Sequence, residues 1–179
     1  MTGGKPLYKT SEVCKILGLE RSTIQYYCDK GIIKPFKKAS GRGSFRQFSG
    51  RNIVEIAIAK QLVESGITLK RLPILFTRLN NSLKDLQRRE AKERNVAIGD
   101  YLDPMAQGLA SEKLLMCVTF QSHRLKEREI SMVKVFKYNS DTPNSLDFDI
   151  HYQVSFLWIN LSVLMEQVEE CISDHSLSK

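Results

Sequence analysis

The chain has 179 residues, 42% of them hydrophobic, four cysteines and a formal net charge of +7. Apolar content at this level supports one large or two small packed domains and excludes wholesale disorder. No apolar run approaches a membrane span and the N-terminus lacks a signal-peptide core, so a cytoplasmic protein with reduced thiols is expected.

Residues 1–7 are expected to form a short flexible arm. The first helix follows, with Thr10 or Ser11 as its N-cap, because a hydroxyl there accepts an orphan backbone N–H. Val13, Ile16 and Leu17 fall at i, i+3 and i+4 and share one buried face. Gly18 ends the helix by tolerating the left-handed conformation of a C-cap, and Leu19 packs back beneath it. A second helix is predicted from Arg21 to Asp29, with Ile24 and Tyr27 inward and Gly31 as its stop. Two short amphipathic helices joined by a tight turn form a helix-turn-helix. The outer face of the second carries Arg21, Ser22, Gln25 and Tyr26, residue types that reach phosphates and base edges.

After Pro35, residues 36–38 and 45–48 are predicted to pair as a hairpin across the Ser40-Gly41-Arg42-Gly43 turn. Phe45 or Phe48 would anchor it, and Lys37, Lys38, Arg42 and Arg46 would project outward. Ser49 is the expected cap of a third helix, whose apolar face runs through Ile53, Ile56, Ala57, Leu62 and Val63. Gly66 ends it, and Thr68 is expected to cap a fourth helix through Leu69 and Leu72.

Over these seventy residues the chain resembles the MerR family of bacterial transcription regulators. The resemblance rests on Ser11-Glu12-Val13, Leu17-Gly18-Leu19, Ser22-Thr23-Ile24-Gln25-Tyr26-Tyr27, Lys30-Gly31-Ile32-Ile33, Pro35, Gly43-Ser44-Phe45-Arg46-Gln47-Phe48-Ser49, Ile53 and Gly66-Ile67-Thr68-Leu69. It implies that the hairpin is a wing gripping the DNA backbone, and that Arg51, Lys70 and Arg71 add backbone contacts. Two positions depart from the pattern: Gln25 stands where the family usually has arginine, and Asn52 where it usually has aspartate.

Charge is unevenly spread. Residues 1–80 hold 15 Lys and Arg against 5 Asp and Glu, whereas residues 81–179 hold 12 against 15. The excess of cations coincides with the helix-turn-helix, as counterion release from DNA phosphates would require.

Leu72, Phe76, Leu79, Leu83 and Leu86 are spaced 4, 3, 4, 3, a heptad seam. Pro73 fits the first turn of this helix, expected over 73–94. The seam must pack on the chain's own C-terminal part or on a second copy. The resemblance favours an antiparallel coiled coil between two subunits.

Residues 95–112, rich in breakers, are predicted to be a connector. Beyond it, Leu114–Phe120 and Ile130–Tyr138 are predicted strands. Leu146 to Phe156 alternates with period two, and residues 139–145 supply the turn before it. From Leu157 the spacing through Leu161, Leu164, Val168 and Ile172 predicts a helix. In the family this part commonly senses an effector. Cys117 and Cys171 are expected as buried structural thiols, and the family's cysteine loop after the dimer helix is absent, so no metal or cofactor is expected. Phe120, Phe136, Tyr138, Phe148, Tyr152, Phe156 and Trp158 are expected as core, with a pocket for an aromatic ligand as the rival. Asp147, Asp149 and His151 suggest a solvated strand face.

No phosphate loop, nucleophile elbow, paired His-Glu zinc motif or glycine fingerprint is present, and His123, His151 and His175 have no evident catalytic partners. The expected protein is therefore not an enzyme. Its fold class is mainly α: a winged helix-turn-helix over 1–72, a coiled-coil dimerisation helix over 73–94, a connector over 95–112 and a small α+β domain over 113–179, a candidate sensor. The expected function is a MerR-type regulator that binds an inverted-repeat promoter site as a homodimer and distorts the DNA. Its partners would be promoter DNA, a second copy, RNA polymerase and an unknown small-molecule effector. The alternative is an architectural or excisionase-like DNA-binding protein.

Overall fold

A computed structural model of the chain describes residues 6–38, 45–94, 101–102, 113–121, 129–138 and 154–177. In order, the elements are β1 (Tyr8–Lys9), α1 (Thr10–Leu17), α2 (Arg21–Asp29), β2 (Gln47–Phe48), α3 (Gly50–Glu64), a 3-10 turn (Leu69–Arg71), α4 (Leu72–Arg94), β3 (Lys113–Gln121), β4 (Glu129–Tyr138), β5 (Val154–Asn160) and α5 (Leu161–Leu177). They form two compact units: Met1–Pro73 with Asp100–Ala106 and Val163–Lys179, and Ile74–Gly99 with Gln107–Ser162.

The first unit is built around α3. Residues 52–59 are all buried, and a helix covered on every side belongs to a core rather than a surface. Ile53, Val54, Ile56 and Ile58 are fully enclosed, each side chain contributing roughly 1.5–3 kcal/mol through burial. Ser49 caps α3 as expected, its hydroxyl accepting the Asn52 N–H at 3.3 Å. Helix α1 presents Val13 and Ile16 to this core, and α2 presents Ile24 and Tyr27. Gly18 takes φ +60 and Gly31 φ +67, so both breaks need the left-handed backbone that glycine adopts without strain. The Lys60 ammonium donates to the Leu17 carbonyl at 3.1 Å, placing a cation where the α1 dipole is negative.

The start of α1 differs from expectation. Lys9 is its N-cap, so Thr10 and Ser11 lie inside the first turn. The orphan donor is met from the other direction, because the Lys9 backbone N–H donates to Glu12 Oε2 at 2.7 Å. Thr68 likewise leads into a single 3-10 turn that runs straight into α4. Tyr101 and Leu102, inside the expected connector, are 1% and 0% exposed.

The second unit sets residues 74–94 of α4 with an antiparallel sheet of order β4-β3-β5. Leu114, Met116, Val118, Val133, Val135 and Ile159 are buried there. Polar contacts join α4 to β4. The Val135 N–H donates to Ser82 Oγ at 2.8 Å, and Lys137 pairs with Glu90. Strand β5 and α5 correct one expectation. Extended backbone persists through Leu157 to Asn160, and the helix starts at Leu161. The i, i+4 spacing of Leu157 and Leu161 suits a helix, but the ladder to β3, with Trp158 opposite Cys117 and Asn160 opposite Leu115, holds these residues in the sheet. The turn at 139–145 and the alternating residues from Leu146 to Gln153 lie outside the described residues.

Leu72, Phe76, Leu79 and Leu83 are all buried within a single chain, and Leu86 is half-buried. The Leu83→Ala variant should lose about 2–5 kcal/mol by leaving a cavity. Because the seam is covered inside one chain, the shift in thermal midpoint should be the same across an about hundredfold range of protein concentration; a shift that grows on dilution would place the contact between copies.

Candidate nucleic-acid interface

The outer face of α2 is open to solvent. Arg21, Ser22 and Gln25 are exposed, and Tyr26 is half-buried at the edge. Helical spacing forces this division, since Ile24 and Tyr27 must turn inward and residues 21, 22 and 25 then point away. The Ser22 hydroxyl donates to Glu20 Oε2 at 3.2 Å. Lys30 Nζ lies 5.8 Å from the centre of the Tyr26 ring, and that ring stands edge-on to Tyr27.

The segment after α2 closes on β2. Lys37 and Gln47 exchange two backbone bonds, at 3.1 and 3.0 Å, and Gln47 also pairs with Lys9 across the β1–β2 ladder. Phe48, fully buried, is the anchor; Phe45 is 60% exposed. Lys37 and Lys38 are exposed, whereas Arg42 lies outside the described residues. Arg46 is the exception among the expected outward cations. Its guanidinium donates to Asp29 Oδ1 at 2.6 Å, joining the strand segment to the last residue of α2. Arg51 is similarly engaged, with Glu55 at 3.0 Å, while Lys70 is exposed and Arg71 half-buried.

Asn52 was not among the residues expected to matter to this surface. It is 5% exposed. Its oxygen accepts the Phe36 N–H at 3.1 Å and the Ser49 N–H at 3.2 Å. Its amide nitrogen donates to the Lys34 carbonyl and to Glu55 Oε2, both at 3.1 Å. One side chain thus fixes the approach to Lys37 and Lys38. Both nitrogen contacts need a donor, which an aspartate cannot supply.

Burial pushes the Cys14 thiol above its ordinary range, partly offset by Arg21. Burial does the same to Cys28, with Arg46 opposing and Asp29 assisting. Cys117 is buried and pushed up to about 11 by desolvation alone. Cys171, expected to be buried, is exposed on α5; its neighbours Val168 and Ile172 take the inward positions. Among the described residues no group of three His, Cys, Asp or Glu side chains could hold a metal ion. The aromatic side chains of the expected C-terminal pocket, and Asp147, Asp149 and His151, lie outside what is described.

Residues 8–78 match the model of the MerR HTH family regulatory proteins. The chain is also 27% identical over 73 residues to an uncharacterized HTH-type transcriptional regulator of Mycobacterium bovis and to two of Mycobacterium tuberculosis. The aligned segment covers 40% of this chain and 32% of each relative, so the chain spans about a third of the length of the relatives it matches. No helix among the described residues is long and apolar enough to cross a membrane.

Two outcomes test this geometry. In the Asn52→Asp variant a carboxylate faces the Lys34 carbonyl and Glu55, and stability should fall by at least about 2 kcal/mol at neutral pH. Such a carboxyl is held above its ordinary range in the fold, so the loss should grow as pH rises through about 4 and shrink below it; thermal unfolding at both ends of that range checks the sign. The Asp29→Asn variant releases Arg46. Binding to duplex DNA in dilute buffer should tighten, and the salt slope should steepen by about 1 if the guanidinium takes one phosphate.

Proposed function

We propose that this chain, carrying the MerR-type helix-turn-helix module over residues 8–78, is a sequence-specific DNA-binding transcriptional regulator. The observation that carries the proposal is that Arg21, Ser22 and Gln25 on α2, and Lys37 and Lys38 after it, are all exposed. Helix α2 would enter the major groove, with Gln25 reading base edges and Arg21 on phosphate. Lys37, Lys38 and Arg42 would form the wing, and such backbone contacts position the protein without specifying sequence. Arg46 would contribute on exchanging Asp29 for phosphate.

One helix-turn-helix binds weakly, so the regulator is proposed to act as a two-fold dimer on an inverted repeat, where two linked heads gain affinity together. At 1.5 Å per residue, the 23 residues of α4 give a rod of roughly 34 Å. Since Leu72, Phe76, Leu79 and Leu83 are buried within one chain, the edge of α4 from exposed Ile74 through Asn81 to Arg88 is what a second copy would meet. Bending or untwisting the duplex between half-sites would cost a few kcal/mol, offset by contacts at both ends, and would alter how RNA polymerase engages the promoter.

Footprinting on sites selected from random DNA tests this directly, with protection of an inverted repeat as the expected result; many phased, sequence-indifferent sites would indicate an architectural role. Arg21→Ala should weaken binding to all sites about equally and lower the salt slope by about 1. Gln25→Ala should change the ranking of sites, with about 1–3 kcal/mol lost at the base it reads. An unchanged ranking would remove Gln25 from the readout.

A further inference from the structure

Phe36 and Phe45 are 69% and 60% exposed, and no other aromatic side chain among those described is exposed. A single apolar side chain in water needs no special cause. These two, however, share one short stretch of one-sided charge. Residues 34–48 hold Lys34, Lys37, Lys38, Arg42 and Arg46 and neither Asp nor Glu. Lys34, Lys37 and Lys38 are exposed with the rings.

The backbone of Phe36 is fixed on both sides. Its N–H donates to Asn52 Oδ1 at 3.1 Å, and Lys37, the next residue, exchanges two backbone bonds with Gln47 at 3.1 and 3.0 Å. Pro35 restricts the chain just ahead of it. The point from which the ring springs is therefore set before any partner arrives, and little ordering entropy is lost on contact. The charge selects the partner. A second copy would bring like cations onto like cations, whereas a polyanion is attracted.

We propose that Phe36, with Phe45, is an apolar contact to duplex DNA, the rings seating on the sugars and base edges of a groove while Lys37 and Lys38 hold phosphates. The inference rests on the DNA-binding reading above and adds to it a contact that salt does not screen. Phosphate contacts weaken as counterions compete for the duplex; a ring withdrawn from water keeps its gain.

Binding of the full chain to a labelled mixed-sequence duplex is followed by fluorescence anisotropy over a series of salt concentrations. Phe36→Ala should weaken binding about tenfold, the upper scale of one aromatic contact, with the salt slope unchanged. Lys37→Ala should lower that slope by about 1. Calorimetry at several temperatures should give a less negative heat capacity of binding for Phe36→Ala, because less apolar surface leaves water. Phe36→Leu should recover most of the affinity. The thermal midpoint of Phe36→Ala should stay in place, since the ring is exposed; if that variant unfolds, Phe45→Ala carries the same expectations. Undiminished binding by Phe36→Ala, or a loss accompanied by a lower slope, would overturn the inference and leave the regulator reading standing. Self-association without DNA that Phe36→Ala abolishes would assign the ring to a second copy and overturn it as well. Failure of the unaltered chain to bind the duplex in dilute buffer would overturn both.

Discussion

A single buried amide holds the basic surface in place. Asn52 sits near the start of α3, inside the core, yet its side-chain contacts reach the backbone of Lys34 and Phe36, the Ser49 cap and Glu55. Lys37 and Lys38 follow immediately on the chain, so their placement depends on bonds made by a residue that is only 5% exposed. The apolar ring of Ile53, Val54, Ile56 and Ile58 fixes α3, and Asn52 transfers that rigidity outward. Arg46 gives a second, weaker tie through Asp29, both side chains being partly exposed and worth little as a pair in water. The outer surface is thus positioned by buried hydrogen bonds and only trimmed by surface charge.

The same economy of contacts shapes the rest of the chain. Helix α4 gives its leucines to the chain itself, and α5 begins beside the sheet, where Ser162 Oγ accepts the Leu114 N–H at 2.7 Å. Its later residues, Val168 and Ile172, are buried in the unit that contains the helix-turn-helix. The C-terminal residues therefore complete the N-terminal unit, and one end of the chain cannot be removed without uncovering the core of the other.

Local chemistry made the helix-turn-helix legible. Ile24 and Tyr27 could face inward at only one helical phase, and Gly18 and Gly31 could take a conformation costly to other residues. Partner choice was not legible. The heptad spacing of Leu72 to Leu86 says that an apolar stripe must be covered, but spacing is blind to which surface covers it. The pairing of Arg46 with Asp29, seventeen residues apart, is a tertiary fact with no local signal. Leu157 to Asn160 fitted two periodicities at once, and hydrogen bonds to β3 decided between them. Cys171 was misplaced because an apolar neighbourhood in sequence is not burial: on a helix, Val168 and Ile172 take the inward positions and leave it outside. Asn52 stood out only as a departure from the family pattern; the Ser49-x-x-Asn52 spacing was the signal of its bonding, since a side chain three residues after a cap often reaches back to it.

The bond from Val135 to Ser82 has a bearing on how these molecules coexist at high concentration. Among the described residues β4 lies at the margin of the sheet, and a margin with open amides invites a stranger's strand to zip onto it. Here a serine hydroxyl already occupies the Val135 amide, and the neighbouring Lys134 is exposed, setting a cation along the same border. An incoming strand would have to evict the hydroxyl and crowd its own backbone against lysine.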